Sequence, residues 1–369
     1  MKILLFSPYL NPPHFGGGEK YLFDVALTLV KEHQVYIGLS ESGSLNLERI
    51  QDIKQQYQEF FDCDLSALKF ISTPLKTKAN FFKKLWWTKK FDAIFYASDG
   101  SFFFSLAKLN VAHIQFSLKI DQRGWLKQKK LKSWDYKISN SNFTKKIVEP
   151  SWPVRIDLVH QPMIRTEKFC IGVDLQKKEK IILNVGRFFS HLHSKRQDIL
   201  VDIFKRLKKK YKKETAGWKL VLIGGVEDQE YANKVKKLAK GQDIEILHHV
   251  GRQELINWYK RSSIYWHATG YRINDEEEPE KVEHFGISTV EAMAAGNAPL
   301  VIGKGGQLEV VGEDLKKWTW LVKRDCIKKT AQVIRNQDLR LDLQKAAQKR
   351  AEKFGAKIFE AKLKAIFSQ

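Results

Sequence analysis

Short apolar strands alternate with amphipathic helices along the chain, in two successive series. The first series opens with KILLFS (residues 2–7), a glycine-rich turn, the helical segment KYLFDVALTLVKE (20–32) and the strand VYIGLS. The second opens with KIILNVGRF (180–188) and continues through RQDILVDIFKRLKKKY (196–211) and WKLVLIGG (218–225). Such alternation predicts parallel sheets with helices on both faces. With 369 residues, the chain is long enough for two domains of this kind.

The two series predict an α/β protein with two doubly wound parallel-sheet domains. Between about residues 160 and 180 the sequence has no clear period and contains a proline and a lysine cluster, which is typical of a connection between domains. We therefore predict an N-terminal domain over residues 1–165 and a second domain over residues 166–345. Residues 346–369 predict a C-terminal helix, which we expect to pack back on the N-terminal domain.

Cysteine usage and hydropathy indicate the cellular setting. The three cysteines, Cys63, Cys170 and Cys326, are far apart and form no CxxC pair. This argues against a disulfide framework and a zinc site, and favours the reducing cytoplasm. The N-terminal MKILLFSPYLNPP is cut short by prolines and predicts a strand rather than a secretory signal. No apolar run reaches about 18 residues, so we predict no membrane-spanning helix.

The formal net charge of +22 is the largest anomaly of the composition. Such a field attracts nucleic acid, an anionic membrane or phosphorylated ligands, and charge alone does not choose among them. Part of the charge is concentrated in residues 76–90, KTKANFFKKLWWTKK, which we call the basic aromatic segment. Residues 123–134, RGWLKQKKLKSW, again combine basic residues with tryptophans.

Three interpretations of the basic aromatic segment stay open. Interleaved lysines and aromatic rings would suit stacking of single-stranded nucleic acid. They would equally suit docking on an anionic membrane, with lysines at the headgroups and rings in the interface. The docking candidates are then Lys83, Lys84, Trp86 and Trp87. The third interpretation is an amphipathic helix whose aromatic rings belong to the core.

A second constellation is acidic. Residues 283–296, EHFGISTVEAMAAG, place Glu283 and Glu291 eight positions apart in a basic chain. Ser288 and Glu291 have the spacing of a capping box, in which the serine begins a helix and the glutamate reaches back to it. Glu283 precedes the turn at Gly286 and is expected on a loop. The preceding acidic run, residues 275–278, lacks a defined ligand spacing, so we predict a solvated loop there and no metal site.

Three further positions have both a structural and a functional interpretation. The turn at Gly16-Gly17-Gly18 is not a GxGxxG fingerprint, and no acidic residue ends the next strand, so dinucleotide binding is poorly supported. A tight strand–helix connection explains such a turn by itself. His113 lies near the end of a predicted strand, where sheets of this kind bind ligands, but a single histidine is as readily structural. His267 could likewise contact a ligand or only pack in the core.

Motifs along the chain resemble, in order, those of the family 4 (group 1) glycosyltransferases. They include the first glycine turn, ISNSNFTKKIV (138–148), the Gly186-Arg187 strand end, LVLIGG, and Glu283-x7-Glu291 followed by AMAAG and a Gly-Gly turn. The resemblance covers nearly the whole chain and implies the GT-B fold, two Rossmann-like doubly wound domains facing a cleft. The Glu-His-Phe-Gly form is similar to eukaryotic α-1,2-mannosyltransferases that build dolichol-linked oligosaccharides, which implies GDP-mannose as the donor.

The resemblance also implies roles for single residues. Glu283 would orient the donor sugar and stabilise charge at its anomeric carbon, with His113 near the same sugar. Glu291 would bind the ribose hydroxyls. Arg187 and Lys195 would meet the diphosphate. The other predicted donor-binding residues are Gly17, Gly18, Phe285, Gly286, Ile287 and Ser288.

The sequence leaves open which of two neighbouring basic residues would contact the diphosphate. Lys195 follows Arg187 by eight positions, slightly more than is usual in the family, because FFSHLH looks like a small insertion. Arg196 therefore competes with Lys195 for the same role.

Taken together, the resemblance implies retaining transfer of a hexose from a nucleotide-sugar to a hydroxyl of a glycan or lipid-linked acceptor. It implies no metal and no cofactor besides the donor, and a lipid-linked acceptor would place the protein on the inner membrane face. One alternative is a nucleotide-sugar epimerase of GT-B architecture, which would release an epimerised donor without consuming acceptor. Another is a non-catalytic, nucleic-acid-binding protein, which would bind with a steep salt dependence. Because the glycosyltransferase motifs are present, we expect no nucleic acid partner.

Overall fold

The computed structural model describes residues 1–10, 16–39, 46–75, 77–116, 120 and 122–368. These residues form two compact units. The first unit consists of Met1–Met163 together with Phe359–Gln369, and the second of Ile164–Ile358.

The first unit is built on a parallel sheet whose strand order is β3-β2-β1-β4-β5-β6-β7. The strands in the middle of the sheet are mostly buried, as expected of parallel strands that are covered on both faces, and the short strands at its two edges are partly exposed. The strands are β1 (Lys2–Phe6), β2 (Gln34–Leu39), β3 (Lys69–Ser72), β4 (Ala93–Ser98), β5 (Leu109–Ile114), β6 (Tyr136–Ser139) and β7 (Leu158–Val159). The connecting helices are α1 (Gly17–Leu29), α2 (Leu47–Phe61), α3 (Phe81–Thr88), α4 (Trp125–Lys132) and α5 (Asn142–Ser151).

The second unit has a parallel sheet with strand order β10-β9-β8-β11-β12. Its strands are β8 (Glu179–Val185), β9 (Lys219–Ile223), β10 (Ile244–Leu247), β11 (Ser262–His267) and β12 (Ala298–Val301). Its helices are α6 (Thr166–Cys170), α7 (Gln197–Lys210), α8 (Gln229–Ala239), α9 (Arg252–Arg261), α10 (Ile287–Ala294), α11 (Gly306–Lys316), α12 (Lys323–Arg335) and α13 (Gln337–Ala351). The predicted pair of parallel-sheet α/β domains is therefore confirmed.

The last helix, α14 (Ala356–Phe367), ends the chain, and from Phe359 onward it belongs to the first unit. His160 Nε2 lies 3.0 Å from the carbonyl oxygen of Phe359, and its Nδ1 lies 2.5 Å from the hydroxyl of Tyr21. Lys364 pairs with Glu32 at 2.6 Å on the surface. A buried histidine bridge and surface ion pairs thus attach this segment to helix α1 and its surroundings.

Two general properties concern possible partners. None of the helices within the described ranges combines the length and the hydropathy needed to cross a bilayer. Among the same residues, no group of three or more His, Cys, Asp or Glu side chains is placed to hold a metal ion.

Candidate functional site

Glu283 lies in the loop before α10, in the second unit, and is the centre of a polar cluster. Its Oε2 accepts hydrogen bonds from Lys195 Nζ at 2.5 Å and from His267 Nε2 at 3.1 Å. The side chains of Glu283 and Lys195 are only 14% and 12% exposed, so water screens this ion pair weakly. Burial alone would raise the pKa of Glu283, but the Lys195 charge and the His267 hydrogen bond outweigh it and hold that pKa well below its usual range. Glu283 is therefore a carboxylate at neutral pH.

Close backbone contacts at the ends of β8 and β9 place Lys195. A Cβ on Gly186 would lie 2.5 Å from Cγ of Lys195, so the lysine stem runs directly over this glycine. A Cβ on Gly224 would lie 2.0 Å from the carbonyl oxygen of Gly186. An added Cβ would force the backbone to move at Gly224, and at Gly186 it would displace the stem of Lys195. The glycines at these two strand ends thus bring Lys195 to Glu283.

A second glycine pair holds the backbone of Glu283. Gly306 donates its amide hydrogen to the carbonyl oxygen of Glu283 at 2.7 Å, and a Cβ on Gly306 would lie 2.2 Å from the carbonyl oxygen of His284. The neighbouring Gly305 donates its amide hydrogen to Asp275 Oδ2 at 3.1 Å. The acidic run that was predicted as a solvated loop therefore has one member that fixes this turn.

Helix α10 begins differently from the predicted capping box. Its N-cap is Gly286, with a φ of 113°, and Ser288 lies inside the helix, where its Oγ accepts a hydrogen bond from Tyr265 at 2.8 Å. Glu291 does not reach back to Ser288. The capping-box interpretation is wrong because the left-handed turn at Gly286 starts the helix earlier. The amides of Ile287 and Ser288 belong to the helix's first turn, where backbone N–H groups lack helical partners.

Glu291 is held by side chains that sequence reasoning missed. Arg252, at the start of α9, donates to its Oε1 at 2.6 Å, and Tyr259 donates to its Oε2 at 3.0 Å. The Glu291 side chain is buried, and the Arg252 guanidinium also lies 5.4 Å from the ring of Phe169. No local pattern relates Arg252 to Glu291, because 39 positions separate them.

The two arginines considered for the diphosphate have acidic partners. Arg187 Nη1 lies 2.5 Å from Glu227 Oε1, with both side chains half-exposed. Arg196 makes a two-point contact with Asp198, at 3.0 and 3.2 Å. Lys195 contacts Glu283, whereas Arg196 pairs with Asp198.

His284 and Phe285 follow Glu283 in the loop before α10, and His193 approaches this loop from the segment before α7. The rings of His193 and His284 lie 5.8 Å apart. Burial, and then the Lys195 charge, lower the pKa of His193 to about 3, and burial lowers the pKa of His284 to about 4, so both rings are neutral at pH 7. Phe285 packs edge-on against Phe354 in the core, with ring centroids 5.3 Å apart. Its placement indicates a packing role.

The predicted site residues of the first unit lie at the carboxyl edge of its sheet. Helix α1 starts at Gly17, and a Cβ on Gly18 would lie 2.8 Å from the side-chain amide of Gln115. His113, on β5, is buried and stacked on Tyr21 with ring centroids 3.9 Å apart. Neither ring nitrogen of His113 hydrogen-bonds to any residue that the structure describes. Burial holds the pKa of His113 well below its usual range. Residues 11–15 of the N-terminal glycine-rich stretch lie outside the described residues.

The basic aromatic segment forms α3 over Phe81–Thr88; its Lys76 lies outside the described residues. Phe82 and Trp86 are 68% and 60% exposed, while Trp87 is partly buried and packs on Phe91 with ring centroids 5.0 Å apart. The core interpretation therefore holds for Trp87 and is wrong for the exposed rings of Phe81, Phe82 and Trp86. On α4, Trp125 is 71% exposed and Lys129 Nζ lies 4.1 Å from its ring.

Solved structures share this fold over the whole chain. HepE from Anabaena in complex with UDP has a TM-score of 0.71 at 15% identity, covering 100% of both chains. A glycosyltransferase from Rickettsia africae has a TM-score of 0.70 at 17% identity, covering 100% of this chain and 99% of that one. A TarM variant from S. aureus, in complex with fondaparinux, α-GlcNAc-glycerol and UDP, has a TM-score of 0.71 at 11% identity, covering 100% of both chains. The predicted GT-B fold is confirmed.

A family model matches most of the second unit. Residues 167–350 match the family model described as glycosyl transferases group 1. This part of the chain contains Lys195, Glu283 and Glu291, and the match supports the resemblance to group 1 glycosyltransferases that the sequence motifs predicted. No curated protein matches the chain significantly.

Proposed function

We propose that the protein is a glycosyltransferase that moves a hexose from a nucleoside diphosphate sugar to a hydroxyl of a glycan or lipid-linked acceptor. One observation carries this proposal. The ionised, nearly buried Glu283 is held by Lys195 and His267 directly before the N-terminus of α10, inside the segment that matches group 1 glycosyltransferases. Such a cluster offers a carboxylate to sugar hydroxyls and a cation with helix amides to phosphate.

The proposed roles follow from the charge of each group. Glu283 orients the sugar and stabilises the positive charge that develops at its anomeric carbon. Lys195, Arg187 and the first amides of α10 meet the departing diphosphate, whose negative charge grows as the bond breaks. Glu291, already oriented by Arg252 and Tyr259, accepts hydrogen bonds from the ribose hydroxyls. This set of cations and amides supports a transfer without a metal ion.

We further propose that the reaction retains the anomeric configuration and needs no cofactor besides the donor. The acceptor oxygen forms a bond to the anomeric carbon on the face from which the diphosphate leaves, and a phosphate oxygen takes the acceptor proton. This route requires no protein nucleophile. Closure around the donor would exclude water and so limit hydrolysis.

Two observations point to different donors. The Glu-His-Phe-Gly form at Glu283 resembles mannosyltransferases and supports GDP-mannose. HepE and TarM have been crystallised with UDP, which supports a UDP-sugar. We propose mannose from GDP-mannose as the first donor to test, with UDP-hexoses as the direct competitors.

A thermal-shift panel of GDP-, UDP-, ADP- and TDP-sugars tests the function. A ligand that binds only the folded protein at a hundred times its Kd adds about 2.7 kcal/mol to the unfolding free energy, so one base should raise the Tm clearly above the others. The stabilising donor is then incubated with glycan and lipid-linked acceptors. If no nucleotide-sugar stabilises the protein and none is consumed, the proposal is wrong.

For the acceptor, we propose docking of the first unit on the cytoplasmic face of an anionic membrane. The exposed Phe82 and Trp86 lie on one short helix with Lys83 and Lys84, and Trp125 and Lys129 repeat this chemistry on α4. Aromatic rings and lysines side by side match the interface and the charge of such a surface.

A further inference from the structure

The two donors to Glu283 meet at a single oxygen. Lys195 Nζ and His267 Nε2 both contact Oε2, at 2.5 and 3.1 Å. Oε1 accepts no hydrogen bond from any residue that the structure describes. A carboxylate has about four acceptor positions, so the arrangement ties one oxygen to the protein and leaves the other for a ligand.

The position of the proton on His267 follows from its partner. Glu283 is ionised and can only accept, so the His267 nitrogen that faces it must donate. His267 is fully buried, and burial lowers its pKa more than Glu283 raises it, so the ring is neutral and carries one proton. That proton is on Nε2. Thr269 Oγ1, 3.2 Å from the same nitrogen, can accept a share of it.

The other ring nitrogen argues against a role in packing alone. Nδ1 of His267 is buried, and none of the residues within the described ranges hydrogen-bonds to it. An unpaired buried acceptor costs free energy that an apolar side chain would not. The contacts of Nε2 with Glu283 and Thr269 distinguish His267 from an apolar residue at the end of β11, and of these two partners Glu283 is the charged one.

We propose that His267 is a positioning residue: its Nε2–H holds Oε2 of Glu283, so that Oε1 faces a donor-sugar hydroxyl while Lys195 turns to the diphosphate. This inference rests on the proposed function. Without His267, the carboxylate would lose its remaining anchor when phosphate attracts Lys195. With His267, Glu283 keeps its orientation throughout the transfer.

A ligand-free measurement tests the hydrogen bond itself. Long-range ¹H–¹⁵N spectra of protein with labelled histidines should show His267 protonated at Nε2 and unprotonated at Nδ1. In Glu283→Ala this preference should weaken, since the acceptor is gone. A wild-type ring protonated at Nδ1 could not donate to Glu283 and would overturn the proposal, whether or not the protein transfers sugar.

A kinetic comparison then separates positioning from packing. His267→Phe keeps the ring and removes the donor, and His267→Gln restores an N–H at a similar reach. We expect His267→Phe to lower kcat about tenfold, as for the loss of one hydrogen bond to a charged group, with donor KM and nucleoside diphosphate affinity little changed. His267→Gln should recover most of this loss, and the matched control Thr269→Val should stay near wild type.

Equal losses in His267→Phe and His267→Gln, accompanied by equal drops in Tm, would assign His267 to packing and overturn the proposal. If His267→Phe does not fold, the spectra of the wild-type protein still decide it. A wild-type protein that consumes no donor would instead refute the proposed function and leave the spectroscopic result standing.

Discussion

Glu283 has a negative charge where burial would favour the neutral acid, and Lys195 and His267 supply the compensation. A group in this position combines two properties that the proposed transfer needs. Its charge is stable near neutral pH, and two hydrogen bonds already hold its Oε2.

Replacing Glu283 with Gln should leave nucleoside diphosphate binding within a few-fold of wild type and lower kcat. We expect a loss of about 100-fold, comparable to removing one preorganised electrostatic contact. Turnover at saturating donor and calorimetry with the nucleoside diphosphate measure the two quantities. Unchanged turnover would remove Glu283 from the mechanism.

The depressed pKa of Glu283 predicts an acid-dependent stability. A carboxyl whose folded pKa lies below its unfolded value of about 4.3 stabilises the fold above that pH and loses this contribution as pH falls toward the folded pKa. The unfolding free energy of wild type should therefore fall below about pH 4.3 more steeply than that of Glu283→Gln. Urea unfolding at several pH values measures the difference, and parallel curves for the two proteins would contradict it.

We expect Arg187 to bind the diphosphate of the nucleotide. Arg187→Ala should weaken a nucleoside diphosphate about tenfold and leave the bare nucleoside nearly unaffected. Glu227→Gln should do the opposite and tighten the diphosphate about two- to threefold, because it frees Arg187 from a half-exposed ion pair of modest strength. Calorimetry distinguishes the ligands. Equal losses for nucleoside and diphosphate in Arg187→Ala would exclude the phosphate role.

At the scale of elements, the sequence predicts which segments are helical better than it predicts where a helix starts and which of its side chains are buried. The sequence correctly predicts a helix after Glu283, but it places the helix start at Ser288 instead of the left-handed Gly286. A capping-box prediction uses only side chains that are close in sequence. The start of α10 depends instead on contacts between the backbone of the preceding loop and the turn at Gly305-Gly306. Likewise, lysine and aromatic content leaves three interpretations of residues 76–90 open, and only the structure separates the inward Trp87 from the outward Trp86.

Gly306→Ala should disturb the loop of Glu283. The new Cβ would meet the backbone of His284, so the loop must move, and we expect a loss of about 2–3 kcal/mol in unfolding free energy together with weaker donor binding. Gly225→Ala is the matched control, because no atom of the described residues lies within 4 Å of a Cβ added there. Its effect should stay within about 0.5 kcal/mol. Equal urea midpoints for the two variants would contradict the packing argument.

Helix α3 should contribute to membrane binding. Joint replacement of Phe82, Lys83, Lys84 and Trp86 by Ser should lower co-sedimentation with phosphatidylglycerol vesicles about tenfold or more, since each lysine near such a surface contributes about 1 kcal/mol. Replacing Lys212 and Lys213, exposed lysines of the second unit, removes equal charge and serves as control. Retained sedimentation, or equal losses in both variants, would show that α3 is not the anchor.

At the scale of the whole molecule, the chain keeps the fold of HepE over its full length at 15% identity. Identical residues are few, so the shared constraint is the alternation of buried strands and half-buried helices, which many apolar side chains satisfy. The net charge of +22 is also a property of the whole molecule. Because salt screens its attraction to anionic partners, we expect binding to membranes and polyanions to weaken as the salt concentration rises.

The sequence by itself was enough to predict the two α/β domains, their order and the resemblance to group 1 glycosyltransferases. Apolar periodicity and strand-end glycines, on which these predictions depend, are local properties. Only the tertiary structure decided which cation meets which carboxylate. Lys195 and Glu283 are 88 positions apart, and Arg252 and Glu291 are 39 apart. The first pairing depends on how closely Gly186 lets the Lys195 stem approach and on how closely Gly224 and Gly306 let backbones approach. Such distances arise only when strands and loops pack in three dimensions.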